Sequence, residues 1–419
     1  MSVALQRALR WLPRPDRTNA GMWAIAGGHA MTHSYSAAFA LLLPFVARDL
    51  GLSFSQIGLL VATRQVMSMV VNLPAGMIVD TVGKRNLLMG LALAWAAVPY
   101  LIISITSSYA IILLCMALVG IGMFLWHPAA ITSISELYPG QRGYGLALHE
   151  LGANVGDTLA PLVAGLLLAY LSWRRVLTVN VALGLLLLIA IVRMMAHVRR
   201  QRDEPAPRSL SVREYALGMR ALVRNVNLLI LALVSGVRSL TQNGLSTFLP
   251  LYLVYDLKLP ASLVGLYLAV VQGSGMVATP IAGMLSDRLG PKRIATAGML
   301  TTSLVLLGVA ALDLGSAFVA GLALLGFFLY SMRPAIFRWA IGVVPRAYEG
   351  TAVGALFTTQ AAFSTLMPLV GGFLADRYGL LSVFYFIAGT ILVANLGVFV
   401  VPDLRQPGSV GAAVIAGKD

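Results

Sequence analysis

Titratable side chains lie inside otherwise apolar stretches of this 419-residue chain. Glu150 and Asp157 lie within GYGLALHELGANVGDTLAPLVAG (143–165), where His149 adjoins Glu150, and His127 has a similar apolar setting. Histidine and a desolvated carboxylate both titrate near neutral pH, so these groups can carry or exchange protons. We predict that Glu150 is a proton-coupling group, with Asp157 as the second candidate and His127 and His149 as relays.

Four arginines also lie within apolar stretches. They are Arg64, Arg238, Arg333 and Arg338. An ionised group in a bilayer costs about 3 kcal/mol or more, so it faces either a water-filled cavity or a fixed partner. Guanidinium forks suit carboxylate, phosphate and phosphonate, so arginines that face one cavity favour an anionic or zwitterionic cargo. The predicted substrate-binding set also contains His29, His33, Trp126, Gln242 and Asn243.

The sequence lacks the motifs of common enzyme classes. It contains no G-x-x-x-x-G-K-[ST] loop and no Ser-His-Asp set, and a single cysteine, Cys115, excludes a cysteine-rich metal site. We therefore predict no enzymatic activity, no cofactor apart from a coupling proton, and no resident metal. Sodium in place of the proton stays open, as does a metal-ion route through the histidines.

These side chains must be positioned by membrane-spanning helices. The chain is 58% hydrophobic and only 11% charged, and apolar runs of about 20 residues, enough to cross a bilayer, recur along it. The predicted fold is an all-α polytopic membrane protein with twelve transmembrane helices in two six-helix bundles. The spans are placed at 21–47, 56–79, 86–106, 109–135, 142–170, 173–194, 226–254, 262–286, 292–312, 316–342, 349–377 and 380–401.

The predicted domains follow from these spans. Bundles at 21–194 and 225–402 are separated by a charged linker at 195–224 and flanked by tails at 1–20 and 403–419. At a rise of 1.5 Å per residue, His29, His127 and the pair His149/Glu150 share one level in the cytoplasmic third. Glu150 and Asp157 lie on one face of the fifth span, at i and i+7.

The positive charges give the predicted orientation. The net charge is +14, and basic residues cluster in the first 17 residues, the linker, the tail and the loops after the second and eighth spans. The opposite loops hold few basic residues, so the positive-inside rule predicts that both termini are cytoplasmic. The charge therefore indicates a lipid bilayer as partner and argues against nucleic acid.

The two halves of the chain resemble each other. Gly76 and Asp80 match Gly283 and Asp287 at an offset of 207 residues, and Pro161 matches Pro368 at the same offset. Repeated matches at one offset indicate two homologous six-helix halves in parallel topology.

The repeated loop carries a family resemblance. G-x-x-x-D-x-x-G-[KP]-[RK], which follows both the second and the eighth span, resembles the signature of the major facilitator superfamily. The Trp126-His127-Pro128 motif and the glycine-proline pattern of the fifth span are similar to fosmidomycin-resistance-like drug exporters, whose cargo is a phosphonate. Asp157 departs from typical antiporter patterns, in which its position is apolar or small.

The resemblance implies two mechanical devices. The loops imply a conformational latch formed by Gly76, Asp80, Gly83, Lys84, Arg85, Gly283, Asp287, Gly290 and Arg293. The fifth span implies a hinge formed by Gly152, Gly156, Pro161 and Gly165, because small residues allow close helix approach and proline weakens the helix.

The functional prediction is a secondary active transporter of the cytoplasmic (inner) membrane of a bacterial-type cell. It is expected to act as a monomer that exports a small organic anion or zwitterion against protons by alternating access. A proton-coupled uptake symporter for an organic anion fits the arginines equally well. A metal-ion transporter and a non-transporting membrane sensor are the remaining alternatives.

Overall fold

The regular structure of the described residues is helical. A computed structural model describes residues 20–82, 85–124, 126–137, 142–196, 225–309, 314–344 and 349–403. The helices of the first half are α1 (Ala20–Leu50), α2 (Phe54–Val82), α3 (Arg85–Ile105), α4 (Tyr109–Phe124), α5 (Trp126–Leu137), α6 (Arg142–Leu167) and α7 (Trp173–Ala196). Those of the second half are α8 (Val226–Tyr255), α9 (Ala261–Leu289), α10 (Pro291–Val309), α11 (Ser316–Gly342), α12 (Glu349–Tyr378) and α13 (Leu380–Val400).

The predicted spans are confirmed as helices, with ends displaced by a few residues. Within the described residues, ten stretches are long and apolar enough to cross a membrane, and α4 and α5 together make one of them. The two predicted spans outside that group are α6 and α10. Glycines and titratable groups lower the hydropathy of α6, and α10 begins with Pro-Lys-Arg and is described only to Val309.

Contacts divide the described residues into two units, and the first comprises 20–42 and 66–196. In this unit α3 packs on α4 and α7. Helix α6 lies against α1 at unusually short range, because a Cβ on Gly152 or Gly156 would collide with the backbone carbonyls of Ala26 or Ala30. This close approach brings the polar side chains of α1 and α6 together.

The second unit comprises 43–65 and 225–403. Helix α8 packs on α12 and α13, α9 on α11, and α10 on α11 and α13. Polar contacts join α8 to α12: the Gln360 amide donates to Ser235 Oγ (2.6 Å), and the Asn243 amide donates to the Ser364 carbonyl (2.7 Å). Residues 43–65, which include the last turns of α1 and the first turns of α2, group by contact with the second half of the chain.

The predicted linker and tails lie almost wholly outside the described residues. The domain boundaries proposed from the sequence therefore stay predictions.

Candidate functional site

Four histidines converge inside the first unit. His29 on α1 is buried, its Nδ1 donates to the His149 carbonyl (2.7 Å), and its Nε2 lies 3.2 Å from His127 Nε2. The rings of His29 and His149 are stacked with centroids 3.6 Å apart, and His33 approaches His29 edge-on at 4.7 Å. His29, His127 and His149 therefore lie together, as their predicted common level required, and the depth of that level in the cytoplasmic third stays a prediction.

Trp126 packs against the histidine cluster in the interior of the first unit. It is fully buried at the start of α5, and its indole N–H donates to His149 Nε2 (3.3 Å). Gly28 leaves room for the indole ring, because a Cβ there would collide with it. The structure therefore uses Trp126 to pack and orient His149.

The two carboxylates of α6 have different surroundings. Asp157 Oδ2 accepts a hydrogen bond from His33 Nδ1 at 2.9 Å, and both side chains are about a quarter to a third exposed (24% and 30%). Glu150 is exposed, and its backbone carbonyl accepts from the Asn154 amide (3.0 Å). Within the part of the chain that is described, no cation lies within 4.0 Å of the Glu150 carboxylate.

A second polar cluster lies in the second unit, around Arg238 of α8. The guanidinium is 4% exposed, and its Nη1 donates to Gln242 Oε1 (2.8 Å). The Gln242 amide donates to the Tyr330 hydroxyl (3.3 Å), which in turn donates to Gln272 Oε1. Arg238 Nε is buried without a hydrogen-bond partner among the described residues, and no described carboxylate lies within 4.0 Å of this arginine.

The other predicted substrate residues are spread more widely. Arg333 is exposed, with its guanidinium 5.9 Å from the centre of the Phe337 ring. Its positive charge repels that of Arg238. Arg64 on α2 is half-buried. Arg338 pairs instead with Asp287 at the end of α9 (2.8 Å), and Asn243 is tied to α12.

These helices and their repeat agree with an independent comparison of sequences. The family model described as Major Facilitator Superfamily matches residues 25–283 and 231–414. The chain belongs to the Major Facilitator Superfamily. It is therefore a membrane-embedded transporter of small molecules and not an enzyme, and it has the two-bundle fold of that superfamily.

Curated relatives of this transporter cover most of its length. It is 23% identical over 395 residues to the fosmidomycin resistance protein of Escherichia coli, and the alignment covers 93% of this chain and 95% of the relative. It is 25% identical over 374 residues to the probable sulfoacetate transporter SauU of Cupriavidus necator, covering 83% and 85%. The predicted resemblance to fosmidomycin-resistance-like exporters is confirmed.

Solved structures show the same fold. An inward-facing, occupied bacterial homologue of the human lysosomal transporter Spinster has a TM-score of 0.77 at 16% identity, covering 91% of this chain and 96% of the other. The nucleoside transporter NupG has a TM-score of 0.73 at 14% identity, covering 91% and 98%.

The structure describes the whole superfamily loop motif in the second half of this transporter and only part of it in the first half. Asp287 pairs with Arg338, whose Nη1 also donates to the Ser286 carbonyl, and Gly290 ends α9 with a φ of +88°, which only glycine adopts readily. Arg293 is exposed, and a Cβ on Gly283 would meet no described atom within 4 Å. In the first half Gly76 and Asp80 lie in α2 and Arg85 begins α3, whereas Gly83 and Lys84 lie outside the described residues. The latch role stays a prediction.

The glycine-proline pattern of α6 lies where this helix packs closely against α1. Gly152, Gly156, Pro161 and Gly165 are all buried, and α6 runs without interruption through Pro161. The observed contacts account for Gly152 and Gly156 as packing residues, and hinge motion stays a prediction.

Sequence reasoning missed two partnerships. It did not pair His33 with Asp157, although His29 and His33 at i and i+4 share a face of α1, which pointed to a joint role. It treated Arg338 as a cavity residue, whereas the structure brings it to the loop motif, one turn beyond Arg333 and Pro334 on the same helix.

Proposed function

We propose that this transporter exports a small organic anion or zwitterion in exchange for protons, by alternating access of its two bundles. The observation that carries the proposal is the buried Arg238, a cation whose described neighbours include glutamine and tyrosine but no carboxylate.

The surroundings of Arg238 favour an anion as the missing partner. A buried charge is stable only when it is paired and hydrogen-bonded, and one arginine donor is satisfied here by a neutral amide while Nε has none among the described groups. Arg333 adds a second positive charge. A carboxylate, sulfonate or phosphonate would supply both the charge and the acceptors.

The names of the relatives support this cargo class and direction. One is named for resistance to fosmidomycin, a phosphonate, and another for transport of sulfoacetate, which carries a sulfonate and a carboxylate. Resistance is commonly achieved by export. A proton-coupled uptake symporter for an organic anion stays the second candidate, because SauU is named only as a transporter.

Glu150 is the proposed proton-coupling group. A carboxylate without a fixed described cation can bind and release a proton during the cycle, whereas Asp157 is held by His33. Two further roles stay predictions: Asp157 as the second candidate for the proton-coupling group, and His127 and His149 as proton relays. Sodium stays an alternative coupling ion. We also propose a monomer in the inner membrane with both termini in the cytoplasm, from the distribution of basic residues.

Transport in proteoliposomes under an imposed pH gradient tests this function, with sulfoacetate and methylphosphonate as probes. The wild-type chain should move an anion only when the proton gradient is present. Glu150→Gln should abolish gradient-driven transport while the anion still shifts the melting temperature, because charge-neutral glutamine cannot carry the proton. Glu349→Gln, the same change in the first turn of α12, is the matched control. Wild-type transport by E150Q would refute the assignment.

A further inference from the structure

Three of the converging histidines have the spacing and approach of metal ligands. His29 and His33 lie one turn apart on α1, and His127 reaches them from α5. One nitrogen from each of the three imidazoles lies within 4.8 Å of the other two. We propose that His29, His33 and His127 bind a divalent first-row transition-metal ion inside the first unit. This site goes beyond the proposed anion transport and does not depend on it, and it is an alternative to the sequence prediction that no metal is bound.

The contact between His29 and His127 carries the proposal. Their Nε2 atoms lie 3.2 Å apart, so two equivalent ring nitrogens face each other. Two nitrogens at about 2.05 Å from a tetrahedral zinc ion lie about 3.3 Å from each other. The pair therefore already has the separation of two ligands on one ion, and either a proton or a metal ion can join the two lone pairs.

Hydrogen bonds to the other ring nitrogens orient two of the ligands. His29 Nδ1 donates to the His149 carbonyl and His33 Nδ1 donates to Asp157, so the lone pair of each neutral ring is on Nε2. Metal-binding histidines commonly donate their second N–H to a backbone carbonyl or a carboxylate, which fixes the tautomer and raises basicity. Both kinds of acceptor are present here.

The negative charge next to the histidine cluster and the exposure of His33 also suit a metal ion. The Asp157 carboxylate supplies a negative charge next to His33, and it compensates part of the charge of a divalent cation. His29 is 1% exposed, whereas His33 is 30% exposed, so the cluster has a buried end and an accessible end. The three ligand nitrogens lie within 4.8 Å of one another, which exceeds the separation of two ligands on one ion by at most about 1.5 Å.

The ligand type narrows the class of metal. Neutral imidazole suits zinc, copper, nickel and cobalt, and it discriminates against magnesium and calcium, which prefer oxygen. Three protein ligands leave a fourth tetrahedral position open, as in zinc sites that exchange a ligand.

Cobalt binding to the purified full-length chain tests the site, because tetrahedral Co²⁺ has strong visible absorption. The protein is prepared with an affinity tag free of histidine, stripped with a chelator, and titrated with Co²⁺ and then with Zn²⁺ as competitor. We expect one Co²⁺ per chain, displaced by one Zn²⁺. His127→Ala and His33→Ala should each lower the affinity at least tenfold.

Matched variants separate this site from adventitious binding. His197→Ala removes the fifth histidine of the chain, which lies outside the described residues, and should bind Co²⁺ like the wild type. Asp157→Asn keeps all three imidazoles and should weaken binding about 10- to 100-fold, through loss of the oriented His33. The proposal is overturned if the wild type takes up no Co²⁺, or if H127A and D157N bind it as tightly as H197A.

Discussion

At the scale of single residues, the binding role proposed for Arg238 implies a cost in stability. Its guanidinium is buried against Gln242, with Nε unpartnered among the described groups, and Arg333 adds repulsion. A buried charge without a full set of partners carries an uncompensated desolvation cost, so an apolar side chain of similar volume at this position should not destabilise the fold. An arginine retained for packing alone would show the opposite balance.

We predict that Arg238→Met raises the melting temperature of the anion-free protein and removes its response to anions. Methionine fills a similar volume without a charge to desolvate, and it offers no donor to sulfoacetate or methylphosphonate. The measurement is thermal unfolding in detergent with and without each anion.

Arg338→Met is the control for that prediction. Its guanidinium has a carboxylate partner, Asp287, and both side chains are substantially exposed (43% and 68%), so the anion response should persist. A lower melting temperature in R238M combined with a retained anion response would show that Arg238 has a structural role instead.

At the scale of helices, the contact between α1 and α6 positions the histidine cluster. Gly152 and Gly156 allow the α6 backbone to lie directly on the carbonyls of Ala26 and Ala30. Those residues flank His29 on α1, so the close approach sets the distance from His29 to His149 and from His33 to Asp157.

Gly156→Ala is expected to destabilise the transporter by about 1–3 kcal/mol, because the added methyl group would meet a backbone carbonyl that cannot rotate away. The same variant should weaken Co²⁺ binding, since it separates α1 from α6. Gly389→Ala on α13 is the matched control, because its Cβ would meet no described atom within 4 Å. Equal melting temperatures and equal Co²⁺ affinities for the two variants would contradict this role for Gly156.

The sequence predicts helices better than it predicts partners. Hydropathy indicates where α1 runs, and helical periodicity indicates which side chains of α1 and of α6 share a face, because these are local properties. The pairing of His33 with Asp157 joins residues 124 positions apart, and it depends on how the helices pack. Arg338 shows the same limit: its apolar surroundings indicate burial, yet the end of α9 brings Asp287 to it.

At the scale of the whole molecule, contacts within the second unit join the two sequence halves. Both oxygens of Asp376 on α12 accept hydrogen bonds at the start of α2, from the backbone N–H groups of Phe54 (2.8 Å) and Ser55 (2.9 Å). Nearby, Gly58 and Gly372 permit backbone-to-backbone approach of the same two helices. A carboxylate at a helix N-terminus satisfies orphan donors and complements the helix dipole.

Under the proposed alternating access, these ends of α2 and α12 separate in one of the two states, so the Asp376 contact stabilises only the state described here. Loss of a helix N-cap costs about 0.5–2 kcal/mol, which corresponds to roughly a two- to thirtyfold change in the ratio of the two states. Asp376→Ala should therefore increase the separated population.

Spin labels measure this population by double electron–electron resonance. They are placed at two exposed positions, Leu59→Cys and Phe373→Cys, in a Cys115→Ala background. Arg377→Ala, at the exposed neighbouring position, should leave the distance distribution unchanged. A D376A distribution identical to that of R377A would mean that the cap does not bias the conformational equilibrium.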